Sequence, residues 1–267
     1  MANKCKREGC PMTRRGEMAF FQCDDNERKR LLTAKCRVIY QPKGPALEYA
    51  PLALNLGVGC SHRCRYCYGP KAAQVEPEIF RSGMRVRDRI LERLEKDVAL
   101  LRGDNREILL SFLADPYCPE EPEVGLTRRA IKILVANDLR FTVLTKGGMR
   151  AARDFDLLAG YEKSRFGTTL VFTSQADASH WEPNSASIAD RIEAIKTAHD
   201  KGIKTWISLE PVIDPRQALE LVKALNPVVD HWKVGKLNHM PPPRPVDCAR
   251  SGMRSRIYSA HSARIIT

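Results

Sequence analysis

Between residues 51 and 239, apolar runs of strand length alternate with amphipathic segments of helix length, and few architectures satisfy that pattern. Six runs read as strands: 52–59 ("LALNLGVG"), 107–115 ("EILLSFLAD"), 140–147 ("RFTVLTKG"), 167–174 ("GTTLVFTS"), 204–212 ("KTWISLEPV") and 229–237 ("VDHWKVGKL"). Five helices are expected between them, at 85–103, 126–138, 153–163, 187–202 and 216–227. In the first, Ile90, Leu94, Val98 and Leu101 share a face and Gly103 follows as a stop; in the fourth, Ile188, Ile192, Ile195 and His199 do so and Gly202 ends the run. Strands that are apolar at consecutive positions are buried on both faces, which points to a parallel sheet covered by helices. Two α/β architectures stay open, a doubly wound sheet and a barrel or partial barrel.

At 267 residues the chain is long enough for one such domain. No run of 18 apolar residues exists, so no membrane span is expected, and "MANKCKREGC" does not read as a secretory signal. The net charge of +12 is uneven. Residues 1–50 hold 11 basic and 6 acidic residues, 240–267 hold 5 and 1, and 51–239 hold 28 and 25. The chain thus divides into a basic N-terminal extension (1–50), the alternating region (51–239) and an irregular basic tail (240–267). Such ends either hold nucleic acid electrostatically or are solvated extensions. Nine cysteines in scattered positions do not make a disulfide framework, so a reducing, cytoplasmic setting is expected.

Both candidate architectures gather ligands at the C-terminal ends of their strands. The unusual polar residues stand there: Cys60, Cys64 and Cys67 after the first run, Asp115 to Cys118 after the second and Lys146 after the third. Ser174 follows the fourth, Glu210 ends the fifth and Lys236 the sixth, with Asn238 and His239 beyond it.

The cysteines of "GCSHRCRYCYGP" (59–70) follow C-x3-C-x2-C. Four thiolates would close a zinc site or complete the ligation of an iron–sulfur cube, whereas three leave one metal position open. Zinc held by these three with His62 or a distant cysteine is the competing reading, although no second C-x2-C pair follows.

The C-x3-C-x-aromatic-C loop, with Tyr66 at the aromatic position, resembles that of the radical S-adenosylmethionine superfamily. "LALNLGVGCSHRCRYCYGP", "SFLADPYCPEE", "TVLTKG" and "WISLEPVIDP…DHWKVGKLNH" resemble its spore photoproduct lyase-like branch, also termed DNA repair photolyase-like, over about residues 37–239. The resemblance implies a partial (β/α)6 TIM-type barrel with a 4Fe-4S cluster at its mouth, bound by Cys60, Cys64 and Cys67. S-adenosyl-L-methionine would chelate the fourth iron, and an electron from an external flavodoxin- or ferredoxin-like donor would cleave it to a 5′-deoxyadenosyl radical. That radical abstracts hydrogen from a substrate, for which a nucleic acid is one candidate class and a peptide or small molecule another. By the same resemblance Tyr66 meets the adenine, Tyr68 packs on the cofactor, Lys146 pairs with its carboxylate and Asp115 takes its amino group. Ser174 would bond the carboxylate or ribose, and Glu210 and Lys236 the ribose or substrate.

The sequence also departs from the branch. Where the lyases carry a cysteine that returns a hydrogen atom, this chain has Phe112; Cys118, six residues on, is either its substitute or a bystander thiol. Cys5, Cys10, Cys23 and Cys36 have loose spacings that fit a second metal site or none, and His239 is a candidate base or a structural residue. The tail "MPPPRPVDCARSGMRSRIYSAHSARIIT" lacks an apolar period and reads as a truncated or frame-shifted end. The reading from a different class is a zinc-stabilised nucleic-acid-binding protein without turnover.

Overall fold

The computed structural model describes residues 38–121 and 125–237. The N-terminal cysteines, Asn238, His239 and the basic tail lie outside these residues. A short strand β1 (Ile39–Tyr40) leads into β2 (Leu52–Leu54), and a two-residue ribbon follows, β3 (Gly57–Val58) against β4 (Arg85–Val86). The remaining strands are β5 (Ile108–Leu110), β6 (Phe141–Thr145), β7 (Ser164–Thr169), β8 (Lys204–Val212) and β9 (His231–Lys236). The main sheet has the order β1-β2-β5-β6-β7-β8-β9, with β1 antiparallel to β2 and every later pair parallel. Its helices are α1 (Gly69–Ala73), α2 (Pro77–Arg81), α3 (Ile90–Leu100), α4 (Leu126–Ala136), α5 (Phe155–Ala159), α6 (Gln175–Trp181), α7 (Ile188–Asp200) and α8 (Pro215–Leu225).

The six parallel strands β2, β5, β6, β7, β8 and β9 are the six expected from the alternation. Their outer face packs on the helices: Ile108, Leu110, Phe141, Val143, Phe166 and Ile207 join Leu94, Ile131, Leu134 and Ile195 in the main core. The alternate residues point to the inner face, where Leu109 and Trp206 meet Ala50, Tyr49, Phe112 and Leu144 in a second cluster. Opposite faces of one pleated strand thus serve two cores. This explains the consecutive apolar runs, and the strand order, which runs from β2 to β9 in sequence without reversing, selects the barrel-like alternative.

Several expected boundaries shift. The helix expected at 85–103 spans Ile90–Leu100 behind β4, and that at 153–163 spans only Phe155–Ala159. The strand at 107–115 spans only Ile108–Leu110. Two further shifts have a visible cause. The run 52–59 is not one strand, because Asn55 leaves the ladder: its Oδ1 accepts the backbone N–H groups of Phe112 and Leu113, both at 2.9 Å. The chain then turns off the sheet into β3. The fourth strand starts and stops earlier than 167–174, at Ser164–Thr169. Leu170, Val171 and Phe172 are buried without being in the ladder, an ambiguity that apolar periodicity does not resolve. Helix α6 was not expected at all. Its signal is "SQAD", in which the Ser174 side chain accepts the Asp177 N–H at the N-cap.

Asp97 of α3 fixes the sheet's first edge. Its buried Oδ2 accepts the backbone N–H groups of Val38 at 2.7 Å and Ile39 at 3.0 Å. Asp97→Ala leaves two donors without that acceptor, and the expected loss is about 3 kcal/mol of unfolding free energy, read from urea denaturation. A loss within about 0.5 kcal/mol, the size of an ordinary surface substitution, would contradict this anchoring role.

Candidate functional site

The loop after β3 carries the three cysteines. Gly59 precedes them at φ +105°, a conformation favouring glycine, and a Cβ there would run into the Gly83 carbonyl. The Cys60 N–H donates to the Phe80 carbonyl at 2.9 Å and the Cys67 N–H to that of Cys64 at 3.2 Å. The Gly69 N–H donates to Cys67 Sγ at 3.3 Å, a contact of the kind that stabilises a ligating sulfur. Cys64 is buried, whereas Cys60 and Cys67 are half-buried. Burial pushes the Cys64 thiol up to about 12, the nearby Lys146 ammonium only partly opposing it. Burial and the Asp115 carboxylate push Cys60 up as well. Such thiols give up their protons to a bound metal centre, not to neutral water.

His62 lies within the same loop, and partners outside the loop hold its ring. Its ring is buried, with Nδ1 3.4 Å from Asp115 Oδ2 and Nε2 3.2 Å from Arg150 Nη2. Both ring nitrogens are therefore engaged. Among the described residues no three His, Cys, Asp or Glu side chains converge on one ion-sized point.

Asp115 joins the loop to the neighbouring strand ends. Its Oδ1 accepts from Thr145 Oγ1 at 2.6 Å and the Tyr117 N–H at 2.8 Å, and its Oδ2 from the Lys146 N–H at 2.7 Å. Burial works against its charge, but His62 and these donors outweigh it and hold the carboxyl well below the usual range. Asp115 was expected to take the cofactor amino group; in the structure both its oxygens are occupied in holding the mouth together.

Lys146 follows β6. Its Nζ lies 5.5 Å from the centre of the Tyr66 ring and makes no hydrogen bond to a described residue. Burial lowers its affinity for the proton, yet Cys64 and Glu182 prevail and hold it above the ordinary lysine value. Tyr66 donates its hydroxyl to Glu182 and packs beside Trp181 at 6.4 Å. Glu182, fully buried, is paired with the equally buried Arg191 at 2.7 Å, and that guanidinium also donates to the Thr169 carbonyl at 2.9 Å. Sequence reading missed Glu182 and Arg191, because one follows an unexpected helix and the other looks like a surface position on α7.

The other candidates are spread around the mouth. Ser174 caps α6, its Oγ accepting from the Asp177 N–H at 3.3 Å. Glu210, near the end of β8, accepts from the Tyr49 hydroxyl, which also lies 3.2 Å from Ser208 Oγ. Tyr68 is 43% exposed beside Cys67, and burial of its hydroxyl and the Cys67 sulfur raise its pKa. Lys236 closes β9, exposed and level with Val212. Cys118 has no exposed surface; burial and Glu120 push its thiol well up.

A family model, the radical SAM superfamily, matches residues 54–226, more than half of the chain. The chain belongs to the radical SAM superfamily. It is 26% identical over 189 residues to Uncharacterized protein MJ0683 of Methanocaldococcus jannaschii, covering 70% of each chain. It is 25% identical over 180 residues to Uncharacterized protein ORF301 of Acidianus two-tailed virus, covering 64% of this chain and 59% of that protein. In fold it is similar to a spore photoproduct lyase variant with bound AdoMet and dinucleoside spore photoproduct. The TM-score is 0.61 and the identity 20%, over 79% of this chain and 62% of the lyase. SuiB of Streptococcus suis, bound to S-adenosylmethionine, matches with a TM-score of 0.54 and 12% identity over 70% of this chain and 40% of that one. These likenesses establish the partial TIM-barrel fold. The chain spans less than two thirds of the lyase, and no helix among the described residues is long and apolar enough to cross a membrane.

Glu182 supports both Tyr66 and Arg191. Glu182→Ala strands a buried guanidinium, and the expected loss is about 3–5 kcal/mol of unfolding free energy, measured by urea denaturation. A loss below about 1 kcal/mol would contradict a tightly paired, buried ion pair.

Proposed function

We propose that this protein is a radical S-adenosylmethionine enzyme whose 4Fe-4S cluster is held by Cys60, Cys64 and Cys67. The observation that carries the reading is a loop offering three sulfurs while its one histidine is committed elsewhere, with Lys146 poised beside it. The C-x3-C-x2-C spacing suits a cluster with one iron left open, and no second C-x2-C pair is present to complete a zinc site. Held by Cys60, Cys64 and Cys67, the cluster would supply the electron for reductive cleavage of S-adenosyl-L-methionine, the hard chemistry residing in the cofactor.

The chain's own residues bind and orient. The uncommitted, charged ammonium of Lys146 fits the cofactor carboxylate, and Tyr66, braced by Glu182 and Trp181, borders the same space. Glu210, steadied by Tyr49, suits the ribose hydroxyls or the substrate, and Lys236 and Tyr68 flank the mouth. Ser174 has a free hydroxyl proton to donate beyond its capping role. Cys118 plays no part in this reading. An external flavodoxin- or ferredoxin-like protein is the electron donor, the setting is the reducing cytoplasm, and nucleic acid is the candidate substrate class, as the basic chain ends suggest.

Anaerobic reconstitution with iron and sulfide, followed by dithionite reduction with S-adenosyl-L-methionine, should yield 5′-deoxyadenosine by liquid chromatography. Cys64→Ala should lose cluster and product together. Lys146→Ala should keep the cluster absorbance while the KM for S-adenosyl-L-methionine rises roughly tenfold or more, as expected for a lost charge-assisted contact. A reconstituted cluster that forms no 5′-deoxyadenosine, or a Lys146→Ala protein with unchanged KM, would count against the assignment.

A further inference from the structure

The outer side of the cysteine loop borders a cavity. Arg63, Arg65 and Arg81 meet His180, Trp181 and Pro183 around about 600 Å³, within the roughly 300–1,000 Å³ of small-molecule sites. Cys64 turns inward while Arg63 and Arg65 on either side are exposed, so one short loop offers sulfur to the interior and guanidinium to the cavity. Glu78 accepts from Arg63 at 2.7 Å and from Arg81 at 3.2 Å, holding the two forks near each other. Arg65 Nε donates to the His180 carbonyl at 2.5 Å. Arg81 Nε is buried and has no partner among the described residues. Three guanidiniums against one carboxylate leave excess positive charge. Trp181 is half-buried, with the His180 ring edge-on at 5.7 Å.

We propose that this cavity binds a nucleotide, free or as a unit of a single strand, with the arginines on its phosphate and Trp181 against its base. Planar guanidinium forks match phosphate oxygens two at a time, and an indole stacks on any base. An acidic protein partner would instead need a broad patch of about 800 Å² per side, whereas these groups converge on a concavity. Apart from Trp181, which also packs beside Tyr66, none of the lining residues is given a role at the cluster or S-adenosyl-L-methionine, so the site is read as anchoring a ligand and not reacting with it. The proposal stands whether or not the radical assignment does.

The test uses the full-length protein, with and without reconstituted cluster, and two probes: adenosine 5′-monophosphate by calorimetry and fluorescein-labelled (dT)8 by anisotropy. Arg63→Gly/Arg65→Gln is the main variant, because Arg63 has φ +55° and glycine accepts that backbone; Arg81→Gln is the second, with circular dichroism confirming the fold of each. Affinity should fall roughly tenfold or more in each variant, as expected for lost charge-assisted phosphate contacts. For the strand, the salt dependence should shrink by about 0.7 per lost contact. Binding of both probes identifies a free nucleotide as the source, and binding of the oligonucleotide alone identifies a strand. The proposal is overturned if neither probe binds, if the folded variants bind as wild type does, or if inorganic pyrophosphate binds as tightly as the nucleotide. It is equally overturned if an acidic flavodoxin, and no nucleotide, binds in an Arg65-dependent way.

Discussion

The Asp115 carboxylate stands where three parts of the chain meet: the turn after β5, the end of β6 and the cysteine loop through His62. A nearly buried carboxylate stays charged only where several donors compensate for lost water, and here the Tyr117 and Lys146 N–H groups, the Thr145 hydroxyl and the His62 ring do so. The arrangement has three consequences. It aims the backbone that carries Lys146, it occupies the histidine that would otherwise compete for a metal, and it holds the loop at a fixed distance from the sheet. Every functional reading of the mouth depends on that placement.

A second buried charge system supports the far side. Arg191 reaches from α7 beneath the mouth to Glu182, and Glu182 in turn receives the Tyr66 hydroxyl. Buried ion pairs contribute little net stability compared with apolar packing, so the role of this one is better read as positional. It fixes a tyrosine of the cysteine loop against the residues that follow β7. Lys146 lies over the same ring, so the two systems converge on the space beside Cys64.

The architecture was legible in the sequence because strands buried on both faces leave an unmistakable apolar alternation, and the strand ends were legible because polar residues there have no packing rationale. Boundaries were less so. Asn55 ends its strand through side-chain bonds to residues 112 and 113, a contact distant in sequence, and Leu170 to Phe172 are buried by tertiary packing outside any ladder. The cysteine triad announced itself by spacing alone. The supporting charges did not: Arg191 sits on a helix whose sequence gives no reason to bury a guanidinium, and its partner follows α6, a short helix marked only by the Ser174 cap.

The central claim is that three thiolates hold a cluster with one iron left for the cofactor, and electron paramagnetic resonance tests it most directly. The reduced, reconstituted protein should give a cluster signal whose line shape changes when S-adenosyl-L-methionine is added, because the cofactor then ligates the open iron. A cluster signal indifferent to S-adenosyl-L-methionine, or a protein that takes up zinc and shows no signal at all, would contradict the account.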